Sequence, residues 1–301
     1  MSFKTLVISG GSTKGLLFIG ALHLVQLQLG LDSVSAYYGT SVGAMISALL
    51  AIGYTPLELV ACFQRINFTF DFSLSKEDVQ VFDYDAIMQY ITQFFAARAD
   101  RLLTFKELYK QRDKDLYFVT YNYTRGQMEL LSRHSRPDMS VLDGVRLSCA
   151  IPLLFKQCIY DGDVYVDGWI ANNFPLDIAV EHGREAILAL NMDEDLRRPL
   201  IEPEQKWSEK EQGLLARGAS LFAKVNNLFF IPITLKARET IVKYGAGCYV
   251  INIQSDVPFY RLQLTDKDII SMLFEGMLYA LVYCRSYLRV FKHELEPQAP
   301  E

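Results

Sequence analysis

The chain has 301 residues, of which 50% are hydrophobic and 22% are charged, a balance typical of a globular protein that buries a core. Its net charge of −5 gives no general attraction to nucleic acid, so no nucleic-acid partner is expected. The five cysteines are widely spaced and form no C-x-x-C pair, which argues against a disulfide framework and against a structural zinc site.

The first predicted element begins almost at the amino terminus. Residues 1–6 lack the charged and apolar regions of a signal peptide, so we expect a cytoplasmic protein. Thr5–Ile8 is apolar and partly β-branched, which predicts a buried strand. A glycine-rich turn at residues 9–15 follows, and then an apolar helix.

The glycine-rich turn is open to several interpretations. A P-loop requires a lysine after the last glycine, whereas Lys14 precedes Gly15. The dinucleotide fingerprint fails because Ser12 occupies the position of its middle glycine. A third interpretation is an oxyanion hole, since such a turn presents backbone N–H groups to an anion. A tight turn needed only for packing is the fourth.

A second turn, Gly39-Thr40-Ser41-Val42-Gly43, has the pattern G-x-S-x-G. A β-prone run at residues 33–38 precedes it, and an apolar helix at residues 44–53 follows. In a strand-turn-helix context the glycines allow a tight turn that exposes the serine hydroxyl above the sheet. Ser41 is therefore a candidate nucleophile.

The spacing of the two turns relates them to each other. Only about one helix and one strand fit between Gly15 and Ser41, which places the first two strands side by side and parallel. Both turns then lie at the carboxyl ends of neighbouring strands, where α/β sheets place their sites. Donors from the first loop can therefore face Ser41.

The next segment is mostly helical. Helices are predicted from Thr55-Pro56, over Asp83–Ala97 and over Thr104–Tyr109. The aromatic patch Phe68–Phe72 is expected in a loop, either as core packing or as a lid or lipid-facing rim.

Two hairpins follow. Tyr117–Tyr121 and Gln127–Leu131 are expected to extend the sheet with antiparallel strands. Arg146–Phe155 is expected to end a short helix at its proline. Residues 157–166 are expected to form the second hairpin, which places Asp167 at a strand end. Asp167 is then either a turn-forming residue beside Gly168 or a catalytic carboxylate.

The carboxyl-terminal part combines strands and helices. Strands are predicted at Glu185–Asn191 and Cys248–Ile253, and the charged run Asp193–Glu211 is expected at the surface. Leu214–Leu235 is an interfacial helix or a core helix, but its polar residues exclude a membrane span. The last helix, Asp266–Glu294, carries a core stripe.

Taken together, these segments resemble the patatin-like phospholipase family. The resemblance lies in Ser9–Gly15, Gly39–Gly43, the Ser148–Pro152 segment and Asp167-Gly168-Trp169 with the following Asn173-Phe174-Pro175. It covers about residues 5–180 and implies a three-layer α/β/α sandwich with a mainly parallel central sheet and antiparallel hairpin additions. We expect a single domain over residues 1–301, with a helical carboxyl-terminal part at about 205–295.

The resemblance also implies a function. It implies a lipid acyl hydrolase, of phospholipase A type or a related ester lipase, that works through an acyl-enzyme without calcium, metal or cofactor. The substrate would be a phospholipid or another acyl-ester lipid, and peripheral membrane contact is compatible with this. By position, Ser41 is the nucleophile and Asp167 the base. The oxyanion hole would consist of Gly10, Gly11, Ser12, Lys14 and Gly15.

Two residues depart from the family pattern. Ser12 stands where the family usually has glycine, and Trp169 stands where it has a small residue. The alternative is therefore a catalytically impaired lipid-binding or scaffold protein. A Ser-His-Asp esterase using His182 or His293, and a nucleotide-binding protein, are further alternatives.

Overall fold

The computed structural model describes residues 2–66, 70–74, 79–152, 154–193, 231–255, 257 and 264–295. The strands of these ranges are β1 (Thr5–Ile8), β2 (Ala36–Thr40), β3 (Phe70–Leu74), β4 (Val79–Phe82), β5 (Asp115–Asn122), β6 (Gln127–Ser132), β7 (Cys158–Tyr160), β8 (Asp163–Asp167), β9 (Ile187–Asp193) and β10 (Tyr249–Gln254). The helices are α1 (Gly15–Leu29), α2 (Val42–Ala51), α3 (Pro56–Arg65), α4 (Tyr84–Ala96), α5 (Phe105–Arg112), α6 (Val141–Ser148), α7 (Trp169–Asn172), α8 (Leu176–Glu181), α9 (residues 231–244) and α10 (Asp266–Leu295). A single 3-10 turn, Ser12–Lys14, precedes α1.

In the described ranges the central sheet has the strand order β10-β9-β1-β2-β5-β8-β7, and β6 also pairs with β5. The pairs from β10 to β5 are parallel, whereas β6, β7 and β8 add antiparallel pairs. β1 and β2 are adjacent and parallel, so the glycine-rich turn and Ser41 follow neighbouring strand ends. The mostly parallel central sheet with antiparallel additions confirms the predicted fold class.

The sheet separates two hydrophobic cores, because successive side chains of a strand point to opposite faces. In β1, Leu6 and Ile8 belong to the larger core, whereas Val7 belongs to the smaller one. Buried residues of α1, α2 and α10 contribute to the larger core. Those of α8 and α9 contribute to the smaller core. The sheet is therefore covered by helices on both faces, which is the three-layer α/β/α arrangement.

Local sequence signals determine where several helices begin. Thr55 accepts a hydrogen bond from the Glu58 N–H while the Glu58 carboxylate bonds back to the Thr55 N–H, and Pro56 is the first helical residue. Thr104 and Glu107 form the same reciprocal pair at α5. These caps confirm the predicted starts of α3 and α5.

Some predicted elements differ from those observed. Phe70–Phe72 lies in β3 rather than in a loop, because residues 70–74 alternate apolar and polar side chains and pair with β4. Phe68 and Thr69 lie outside the described residues. The first strand of the predicted hairpin, β5, is antiparallel to β6 but also runs parallel to β2, so it belongs to the parallel part of the sheet.

Two further boundaries differ. α6 ends at Ser148, four residues before Pro152, since in a continued helix Pro152 would lack the N–H that bonds the Ser148 carbonyl and its ring would clash with that carbonyl. Asp193 is the buried last residue of β9 rather than part of a surface run, because an ion pair with Arg238 compensates its charge. The rest of the run Asp193–Glu211, and residues 214–230 of the predicted interfacial or core helix, lie outside the described residues.

Candidate active site

Ser41 occupies a sharp turn between β2 and α2. Its backbone has φ 54° and ψ −125°, a conformation that costs a non-glycine residue about 1–3 kcal/mol. Strain of this kind persists only where the surroundings enforce it, and at the end of a strand it lifts the side chain above the sheet. The structure therefore places Ser41 as the G-x-S-x-G pattern predicts.

The glycines on either side of Ser41 are required by close approach. A Cβ on Gly43 would lie 2.3 Å from the Ile8 carbonyl oxygen, and one on Gly39 would lie 2.6 Å from the Ala44 nitrogen. Backbone atoms of β1 and α2 occupy these spaces, so a side chain at either position would push the elements apart. The close contact between the Gly43 backbone and the end of β1 brings the two turns together.

The Ser41 hydroxyl donates a hydrogen bond to the Asp167 carboxylate, with 2.6 Å between Oγ and Oδ2. Asp167 is the last residue of β8, opposite Thr120 of β5. Its other oxygen, Oδ1, accepts from the Trp169 N–H at 2.9 Å. The side chain is fully buried, so both of its oxygens are held in one orientation.

Burial also changes the acidity of this carboxyl group. Desolvation raises the pKa of Asp167 from its ordinary value of 3.8 to about 7, against the lowering effects of the hydrogen bonds from Ser41 and from the Trp169 N–H. A carboxylate with a pKa near neutrality is a much stronger base than an exposed aspartate. The Asp167 carboxylate is therefore a base in direct contact with the Ser41 hydroxyl.

Ser148 is a site residue that the sequence analysis did not single out. Its Oγ accepts from the Ser41 N–H at 3.0 Å and donates to the Val119 carbonyl at 2.7 Å. The hydroxyl thus links the strained turn to β5. Ser148 belongs to the Ser148–Pro152 segment, which the sequence analysis used for the family resemblance. Its contact with Ser41 depends on how α6 packs, so the sequence did not predict it.

The structure separates the predicted oxyanion residues into two groups. The Gly10 N–H donates to the Asn173 carbonyl at 3.1 Å, and the Gly15 N–H donates to Ser12 and Thr13 carbonyls. The N–H of Lys14 is likewise bonded, to the Gly11 carbonyl. In this structure the Gly10 N–H is therefore directed at the Asn173 carbonyl, so its place in an oxyanion hole stays a prediction.

Gly11 and Ser12 differ from these three residues. Within the described ranges, their N–H groups have no protein acceptor. Ser12 has φ 53°, so the turn holds a left-handed residue at this position. Both residues line a small cavity together with Ser41 and the buried side chain of Lys14.

Asn173 lines the same cavity. Its side-chain amide donates to the Gly10 carbonyl at 3.4 Å. Its Oδ1 is buried and has no hydrogen-bond partner among the described residues. This oxygen lies 2.3 Å from the position that a Cβ on Gly10 would take, so Gly10 is small because Asn173 packs against it.

The described histidine side chains lie elsewhere. The Nδ1 atom of His182 lies 2.9 Å from the Tyr38 hydroxyl, and His134 stacks on Tyr117. His23 lies in α1, and the side chain of His293 lies outside the described residues. Among the described residues, the Ser41 hydroxyl is bonded to the Asp167 carboxylate and to no imidazole.

The described part of the chain has no helix that is both long enough and apolar enough to cross a membrane.

Comparison with known proteins identifies the family to which the chain is similar. The Patatin-like phospholipase family matches residues 6–180, which include Ser41 and Asp167. The chain is 32% identical over 188 residues to Probable lipid hydrolase 463L of Invertebrate iridescent virus 6, covering 60% of this chain and 64% of that protein. It is 26% identical over 279 residues to Uncharacterized protein R571 of Acanthamoeba polyphaga mimivirus, covering 88% of each chain.

The fold is also similar to that of a solved structure, VipD from Legionella pneumophila. The TM-score is 0.55 at 15% identity, over 94% of this chain and 67% of VipD. This likeness concerns the fold, whereas the family match extends over more than half of the sequence. The chain belongs to the patatin-like phospholipase family.

Proposed function

We propose that this protein is a lipid acyl hydrolase, of phospholipase A type or a related ester lipase, that uses Ser41 as nucleophile and Asp167 as general base. The contact of 2.6 Å between the Ser41 hydroxyl and the Asp167 carboxylate carries the proposal. Membership of the family and the similarity to a viral protein named as a probable lipid hydrolase support it.

The first half of the proposed reaction acylates Ser41. Asp167 takes the hydroxyl proton as Oγ attacks the carbonyl carbon of the ester, and a tetrahedral intermediate forms. Collapse of this intermediate breaks the ester bond, and the leaving alkoxide receives the proton from Asp167. The pKa of about 7 suits both directions of proton transfer at neutral pH.

The second half regenerates the enzyme. Asp167 removes a proton from a water molecule, which attacks the acyl-enzyme and releases the fatty acid as the proton returns to Ser41. In both halves, the N–H groups of Gly11 and Ser12 would stabilise the negative charge on the carbonyl oxygen. One such donor is typically worth about 2.7–4 kcal/mol in the transition state.

Other aspects of the proposal follow from this mechanism. Asp167 supplies proton transfer and backbone donors supply charge stabilisation, so we propose that turnover is independent of calcium. EDTA should then leave the rate unchanged.

We further propose that the substrate is a phospholipid or a similar acyl-ester lipid. We propose that the protein is cytoplasmic, is in peripheral contact with membrane, and forms one domain over residues 1–301.

A fluorophosphonate probe tests the nucleophile directly. We expect the wild type to be labelled and Ser41→Ala not to be. Ser47→Ala is the matched control, because Ser47 is a buried serine of helix α2, which follows Ser41 directly, and it should label like the wild type. Labelling of Ser41→Ala would place the nucleophile elsewhere, and a folded wild type that stays unlabelled would favour the impaired lipid-binding protein.

The reaction itself is tested by incubation with a lipid extract and mass spectrometry. We expect the wild type to release fatty acids and Asp167→Asn to be folded but inactive. Near-normal turnover by Asp167→Asn would remove this carboxylate from the mechanism. The lipids consumed would identify the headgroup.

A further inference from the structure

An apolar cleft with a volume of about 320 Å³ lies beside the catalytic residues. Its lining is mainly hydrophobic and includes Pro152, Trp169, Ile170, Phe174, Ile233 and Ala237. The volume is in the range of clefts that bind small ligands. Neither Ser41 nor Asp167 lines it, so it is distinct from the cavity in which we place the chemistry.

The cleft and the catalytic cavity are adjacent. The residues that line both are Trp169, Asn173, Ile233 and Ala237, and the catalytic cavity adds Ser41, Gly11 and Ser12. Trp169 follows the proposed base by two residues, and its N–H is bonded to the Asp167 carboxylate. A group attached to a carbonyl at Ser41 can therefore extend past Trp169 into the cleft.

One wall of the cleft is formed by helix α9, which is held at two points. Arg238 donates two hydrogen bonds to the Asp193 carboxylate at the end of β9, at 2.8 and 3.1 Å. Lys236 Nζ donates to the Ala171 carbonyl in α7 at 2.6 Å. These contacts fix α9 against β9 and α7, so the cleft exists before any ligand binds, and less ordering is needed on binding.

Part of the cleft lies outside the range that the family model matches. Helix α9, which contributes Ile233 and Ala237 to the lining, lies beyond residues 6–180.

We propose that the cleft binds the acyl chain of the substrate and that Ile233 and Trp169 determine which chain lengths are accepted. This proposal rests on the proposed function, because the acyl chain that it places in the cleft belongs to the ester that Ser41 would attack. A hydrocarbon chain is favoured there because it is removed from water without leaving a polar group unpaired. Each methylene buried should raise kcat/KM roughly fourfold, until the cleft is filled.

Chain-length dependence tests the proposal. The kcat/KM values for p-nitrophenyl acetate, butyrate, hexanoate, octanoate and decanoate are compared among the wild type, Ile233→Trp and Val242→Trp. Val242 is on the same helix but 85% exposed and does not line the cleft, so it is the matched control for a new indole ring. Far-UV circular dichroism and thermal melting verify that each variant is folded.

We expect Ile233→Trp to lower the ratio of decanoate to acetate turnover by roughly tenfold or more, because its ring takes the space of several methylenes. Val242→Trp should keep the wild-type ratio. Folded Ile233→Trp with an unchanged ratio would overturn the assignment of the cleft.

A binding measurement gives an answer that does not depend on turnover. A dansyl-labelled undecanoic acid is titrated into Ser41→Ala and into Ser41→Ala combined with Ile233→Trp. We expect the second protein to bind roughly tenfold more weakly, and equal affinity would overturn the proposal. If the wild type hydrolyses no ester and is not labelled by fluorophosphonate while this difference persists, the proposed function fails and the acyl-binding cleft stands.

Discussion

The Ser148 hydroxyl accepts a hydrogen bond from the backbone N–H of Ser41 at 3.0 Å and donates its own proton to the Val119 carbonyl. The two serines are separated by 107 positions in the sequence. One side chain thus connects the strained turn that carries the nucleophile to the strand next to Asp167. We infer that Ser148 is a positioning residue for Ser41.

Replacing Ser148 by alanine tests this role. Ser148→Ala would remove the side-chain acceptor of the Ser41 N–H and a buried donor to the Val119 carbonyl, so we expect a loss of about 1–3 kcal/mol in the free energy of unfolding. Because the turn loses its fixed orientation, kcat should fall more than KM rises. Urea denaturation and steady-state kinetics measure the two effects.

Ser47→Ala is the control for Ser148→Ala. The Ser47 hydroxyl is also buried but has no hydrogen-bond partner among the described residues. Its removal should be neutral or slightly stabilising, since no bond is lost. Equal effects of the two substitutions on stability and on kcat would show that the Ser148 bonds do not position Ser41.

The pH dependence of activity follows from the raised pKa of Asp167. The carboxyl group must be ionised to accept the Ser41 proton, and its pKa is about 7. We expect kcat/KM for a short-chain ester to rise roughly tenfold per pH unit below pH 7 and to level off above it. A profile already flat from about pH 5 upward would exclude a base of this pKa.

The same raised pKa makes the stability of the protein depend on pH. The native state holds the Asp167 proton more tightly than the unfolded chain, whose carboxyl has an ordinary pKa of 3.8. Stability therefore declines as pH rises from about 4 to about 7, by on the order of 4 kcal/mol from this one group.

Asp167→Asn removes this titration. Relative to the wild type, the variant should gain stability steadily from about pH 4 to about pH 7 and keep the gain above that range. Because both proteins share every other titrating group, the difference between their free energies of unfolding isolates Asp167. A difference that is independent of pH would contradict the raised pKa.

Replacing Ser12 by glycine should stabilise the protein, in contrast to the loss of stability expected for Ser148→Ala. Ser12 has φ 53°, which costs a non-glycine residue about 1–2 kcal/mol, whereas glycine adopts this conformation freely. Allowing for the greater freedom of glycine in the unfolded chain, we expect Ser12→Gly to stabilise the protein by up to about 1 kcal/mol. Thermal denaturation measures the change.

Thr13→Gly is the neighbouring control, because Thr13 lies in the same 3-10 turn without a positive φ. It should lower stability by at least roughly 0.5–1 kcal/mol, because the loss of a buried side chain adds to the greater freedom of glycine in the unfolded chain. If Ser12→Gly destabilises as much as Thr13→Gly, the turn does not strain Ser12.

Much of this fold could be predicted from local signals in the sequence. The β-branched run of β1, the Thr55 and Thr104 caps and the glycines around Ser41 act over a few residues, so a linear sequence displays them. Where a local signal was misinterpreted, as in the alternating residues 70–74, the pattern was nevertheless present.

The sequence by itself determined the strand-turn-helix around Ser41, because its glycines meet steric demands that arise within and beside that turn. Only the tertiary structure decided that the Gly10 N–H is occupied, that Ser148 holds Ser41, and that α9 encloses an apolar cleft. The pKa of Asp167 belongs to this second group, because it depends on how much water the surrounding elements exclude. Burial and hydrogen bonding between distant segments arise from packing, and no short stretch of residues encodes them.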